Sequence, residues 1–87
     1  AISPDDPAII DSLAWTQYKL GQYEDALENL RRAFAVFPDH EVASHLGEVL
    51  WMLGKEEEAT QVWEEALEET PSSDLIKEVM GRFQLSQ

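Results

Sequence analysis

Apolar residues recur along this chain at steps of three and four, in five blocks set apart by Gly or Pro breaks. That spacing is the signature of amphipathic helices. Asp6 and Pro7 form a start signal, an N-cap followed by a proline whose missing N–H costs nothing in the first turn. The first helix then runs to about Leu20 with Ile9, Ile10, Leu13, Ala14 and Tyr18 on its apolar side, and Gly21 stops it. The second, about Tyr23–Val36, carries Ala26, Leu27, Leu30, Ala33, Phe34 and Phe37; acids fall early in it and Arg31 and Arg32 late, as the helix dipole favours. Pro38 breaks it. Asp39 is placed to cap a third helix, roughly His40–Leu53, with Val42, Ala43, Leu46, Leu50 and Leu53 inward and Gly54 as its stop. The fourth, about Glu56–Glu69, presents Ala59, Val62, Trp63, Ala66 and Leu67 on one face. After Pro71, Ser72 or Ser73 caps a last helix, Asp74–Phe83, whose Leu75, Ile76, Val79, Met80 and Phe83 are suited to close an open end. No stretch alternates with period two, so no sheet is predicted.

The breaks repeat. Leu13, Ala14, Gly21, Ala26, Ala33 and Pro38 return as Leu46, Gly47, Gly54, Ala59, Ala66 and Pro71, every pair 33 residues apart. A period in this range marks a stacked array whose unit cannot bury its apolar face alone. Gly47 standing where Ala14 stood marks a close helix approach. The predicted organisation is a leader over 1–5, one hairpin over 6–38, a second over 39–71, a capping helix over 72–84 and a tail over 85–87.

These landmarks resemble the tetratricopeptide repeat, a helix-turn-helix unit of roughly 34 residues with small residues at the helix crossing and a proline after the second helix. Leu13, Ala14, Gly21, Tyr23, Ala26, Leu30, Ala33 and Pro38 carry the match in the first unit, and Leu46, Gly47, Gly54, Ala59, Trp63, Ala66 and Pro71 in the second. The family's early Trp is Ile10 and Ala43 here, and its mid-helix Tyr is Gln17 and Leu50. The resemblance implies an all-α, right-handed solenoid of two helical hairpins plus a C-terminal capping helix, acting as a scaffold or adaptor and not as an enzyme. More narrowly, the two hairpins are similar to the carboxy-terminal repeats of larger proteobacterial proteins of this family, some of them outer-membrane lipoproteins facing the periplasm. A periplasmic, outer-membrane-associated parent and a cytoplasmic one both remain open. The opening Ala1-Ile2-Ser3 reads as a segment cut from a longer chain.

Composition narrows the partners. Eighteen acids against six bases give a formal charge of −12, which argues against nucleic acid, whose capture needs clustered Lys and Arg. It equally disfavours an anionic membrane surface. With no cysteine there is no disulfide frame and no thiolate chemistry. His40-Glu41-Val42-Ala43-Ser44-His45 resembles a zincin motif at a glance, but its histidines are five apart and so lie roughly 140° apart around a helix. The acid pairs Glu64-Glu65 and Glu68-Glu69 read as solvated surface. No cofactor, metal or catalytic residue is expected.

The functional candidates come from the resemblance, in which the first helix of each repeat lines the concave side. Residues left after the packing face is assigned are Asp11, Trp15, Tyr18 and Lys19, then Ser44, Glu48, Trp51 and Met52. Aromatics and Met are enriched where proteins bind partners. Tyr18 and Trp51 occupy equivalent places and are equally well accounted for as packing between helices, whereas Trp15 and Met52 favour the open groove. The expected partner is a protein or peptide segment along that wall, with Lys19 and Glu48 setting register. The competing reading is a purely structural cap of a longer solenoid, with Ile9, Ile10 and Leu13 as the face that docks an upstream repeat. The excised segment would then form a homodimer through that face.

Overall fold

A computed structural model describes residues 6–84; the expected leader over 1–5 and tail over 85–87 lie outside the described residues. Five helices follow one another: α1 (Pro7–Lys19), α2 (Tyr23–Val36), α3 (His40–Met52), α4 (Glu56–Glu69) and α5 (Asp74–Gln84), with no strand among the described residues. The fold is all-α, as the spacing predicts.

The breaks work chemically as the sequence implies, with one exception. Asp6 accepts a hydrogen bond from the Ala8 amide at 2.9 Å, and the Ser73 hydroxyl accepts one from Ile76 at 3.2 Å. Asp39 holds the N-cap position of α3 but its side chain caps nothing; the carboxylate turns toward His40 Nε2, 3.9 Å away. Gly21 and Gly54 have φ of +85° and +82°, the left-handed conformation that glycine adopts without strain. Around each, the chain closes the same pair of bonds. Gly21 N–H donates to the Tyr18 carbonyl and Gln22 N–H to that of Gln17; 33 residues on, Gly54 donates to Trp51 and Lys55 to Leu50. Both α1 and α3 thus end in the same two-bond motif, which satisfies orphan carbonyls and turns the chain back.

Consecutive helices pack as hairpins, α1 on α2 and α3 on α4, and the hairpins join through α2 on α3. Contacts recur at about one repeat length: Asp11 touches His45, His40 touches Ser73 and Glu48 touches Arg82. The pairs Asp11–His45 and Tyr18–Glu48 advance in the same direction along both helices, so α1 and α3 run parallel. First helices meet directly, α1 with α3 and α3 with α5. The second helices are linked across the outside by Arg31 and Glu58 at 2.7 Å, both substantially exposed.

The core runs the length of the stack, from Ile10 and Ala14 through Leu30, Leu46, Val49, Leu50 and Trp63 to Ile76 and Val79. Fully burying side chains such as Leu30, Leu50 and Ile76 contributes about 1.5–3 kcal/mol each. Trp63 is wholly buried because Gly47 faces it; a Cβ at position 47 would overlap the indole, with Trp63 Cδ1 2.7 Å away. The last helix, α5, packs on α3 and α4 with Ile76 and Val79 buried.

Candidate interaction surface

The expected groove residues divide into an open set and a closed set. Lys19 is exposed and Met52 is 45% exposed, while Trp15, Tyr18, Trp51 and Asp11 are half-buried. Ser44 and Glu48 are 4% and 8% exposed, which removes them from the free wall. Tertiary contact is the reason in both cases. Trp63 donates its indole N–H to the Ser44 carbonyl at 3.4 Å, and Glu48 is covered by α5, whose Arg82 binds its carboxylate. Of the expected docking face, Ile9 and Leu13 are 40% and 51% exposed, but Ile10 is 5% exposed and belongs to the core.

The aromatic side chains form two stacks. Near the first hairpin, Trp15 lies 4.8 Å from Tyr18 and 4.1 Å from the His45 imidazole, and Tyr18 lies 5.2 Å from Tyr23. Near the second, Trp51, Trp63 and Phe83 are mutually stacked or tilted at 5.8–6.0 Å. Tyr18 and Trp51 therefore pack and remain partly open at once. The Tyr18 phenol is held well above its ordinary range, first by burial and then by the Glu48 carboxylate that accepts its hydrogen bond. Offset rings of this kind add about 0.5–1.5 kcal/mol per pair beyond their area, which favours the stacked arrangement.

Two residues of this surface were not foreseen. His45 reads in sequence as a helix-surface histidine, yet its Nδ1 sits 2.9 Å from Asp11 Oδ1. Arg82 reads as part of a fraying end, yet it pairs with a carboxylate buried a repeat earlier. The signal for both was an offset of 34 residues, close to the repeat length, between groups of complementary chemistry. His40, the other member of the zincin-like run, is hydrogen-bonded with the Ser73 hydroxyl at 2.7 Å and so faces a different neighbour.

With hairpins, left-handed glycine stops and one-repeat contacts established, the comparison with known sequences decides the family: the tetratricopeptide repeat model matches residues 12–74. The chain belongs to the tetratricopeptide repeat family. Tetratricopeptide repeats mediate protein–protein interaction and their proteins generally act without catalysis. A TPR repeat-containing protein of Pseudomonas aeruginosa is 55% identical over 47 residues, 54% of this chain and 8% of that protein. The small glutamine-rich tetratricopeptide repeat-containing protein 2 of Mycosarcoma maydis is 26% identical over 77 residues, 87% of this chain and 22% of that protein. The matched stretches thus cover only 8% and 22% of these two relatives' own lengths. No described helix is long and apolar enough to cross a membrane.

Proposed function

We propose that this tetratricopeptide segment, read as repeats over 6–38 and 39–71 with the cap over 72–84, binds a partner protein segment along the wall formed by α1 and α3. The anchors are Trp15, Tyr18, Trp51 and Met52, with Asp11 and Lys19 at the polar margin. The observation that carries this reading is Met52, an apolar side chain 45% exposed beside the stacked Trp51 and in register with Lys19 one repeat earlier. Aromatic side chains already held by stacking offer area with little ordering cost, which is what a binding anchor needs. Ser44 and Glu48 drop out as contact residues because both are buried.

Peptide-library selection on the 87-residue chain tests this. Selected peptides should lose at least tenfold in affinity for a Lys19→Glu, Met52→Glu double variant whose melting is unchanged, since both side chains are exposed. Peptides that bind the variant as tightly would overturn the wall as the site.

A second reading is favoured by a different observation: Ile9 and Leu13 on α1 and Leu20 just after it are all exposed. On that reading the segment is a structural cap, and this face docks a neighbouring repeat or a second copy. Concentration-dependent dimers in sedimentation, abolished by Ile9→Glu, are its expected result; a monomer at all concentrations would count against self-association.

A further inference from the structure

We propose that Asp11 of α1 and Glu41 and His45 of α3 form a three-ligand site for a divalent transition-metal ion of the zinc class. One carboxylate oxygen from each acid and one imidazole nitrogen all lie within 4.8 Å of one another. Glu41 and His45 are four residues apart, on one face of α3, and Asp11 reaches them from the neighbouring repeat. Imidazole together with carboxylate is a donor set that suits zinc-like ions, whose bonds to N and O are about 2.0–2.2 Å.

Three features of the surroundings support the assignment. First, the side chains of Asp11 and His45 are only 15% and 20% exposed, so their lone pairs are partly withdrawn from water. A neutral imidazole offers one N–H to two carboxylates, and the cluster therefore holds more acceptors than donors. Second, Trp15 stacks on the imidazole at 4.1 Å with 22° between the planes, which fixes the ring's orientation before any ion arrives. Supported ligands of this kind lose less freedom on binding. Third, a cleft of about 450 Å³ opens beside the cluster, and Asp11 and Glu41 line it together with Asp6 and Asp39. It gives an ion an approach lined with negative charge and leaves room for coordinating water. Glu41, the one exposed ligand, has the freedom to swing the short distance needed to complete the shell.

The site joins two repeats, so an ion there would hold α1 against α3. Mechanistically this differs from partner capture on the wall, and either idea can fail alone. Zinc titrated calorimetrically into the 87-residue chain should bind with one-to-one stoichiometry and a dissociation constant in the micromolar range. His45→Gln and Glu41→Gln should each weaken it at least tenfold, while Glu57→Gln, on α4, should leave it unchanged. Glu41 is exposed, so its substitution keeps the fold and isolates ligation from stability. Nickel should quench tryptophan emission in the parent chain, with most of the quenching lost in Trp15→Phe. Binding that survives both ligand substitutions, or that a tenfold excess of magnesium displaces, would overturn the site and reduce it to an acidic surface collecting counterions.

Discussion

Gly47 matters through what it lacks, because Trp63 occupies the space that a Cβ there would fill. At the corresponding places of the first repeat stand Ala14 and Leu30, both wholly buried. The two repeats thus fill equivalent crossings with a small-and-large pair in different proportions, Ala with Leu and Gly with Trp. Gly47→Ala should destabilise the chain by about 1–3 kcal/mol, as overpacking does, measured by urea unfolding. Combining it with Trp63→Leu should recover part of the loss relative to the sum of the single changes, a coupling that a double-mutant cycle reads directly. Tyr18 makes a different prediction. Its folded pKa is raised above the unfolded value of about 10, so the folded state holds the proton longer than the unfolded one. Its contribution is fully present below pH of about 10 and declines as pH rises through the folded value. Alkaline unfolding should accordingly steepen above pH of about 10, and Tyr18→Phe should remove that part of the slope.

At the scale of elements, α5 does more than shield the end of the stack. Besides covering α3 and α4 with Ile76 and Val79, it supplies the cation for Glu48 through Arg82, and Ser73 just before it carries the cap hydroxyl that meets His40. Glu48 also accepts the Tyr18 hydroxyl, so one carboxylate ties α1, α3 and α5 together. Arg82→Ala should cost about 1–2 kcal/mol, less than a fully buried pair because the guanidinium is 57% exposed. Urea unfolding checks the magnitude, and Glu48→Gln in the same background should restore part of it, since an amide tolerates the loss of the cation better than a carboxylate does. In the sequence, the helices themselves were legible from apolar spacing, Gly stops, the Asp6 cap and a cap at Ser72 or Ser73, of which the structure uses Ser73. The failure of Asp39 to cap was not, because whether its carboxylate meets a backbone amide of α3 or the His40 ring depends on where that imidazole is held, here against Ser73.

For the whole molecule, the net charge of −12 spread over extents of 41 × 28 × 17 Å sets an electrostatic strain that packing must outweigh. Salt should relieve it: the melting temperature is expected to rise by a few degrees between about 20 and 200 mM sodium chloride, as screening shortens the reach of like charges. A fall over that range would mean that exposed pairs such as Arg31–Glu58 outweigh the repulsion. The amino-acid sequence by itself determined the number of helices, their stops, the 33-residue repeat and the family, because propensity, capping and periodic burial are local properties copied from one unit to the next. Tertiary structure alone decided which leftover polar and aromatic residues are free. Ser44, Glu48 and Ile10 were closed off, and Asp11, Glu41 and His45 were brought together. Their fate depends on contacts between helices, within one hairpin for Ser44 and from one repeat to the next for Asp11 and His45, and a periodic sequence specifies each helix far more clearly than what its neighbour places against it.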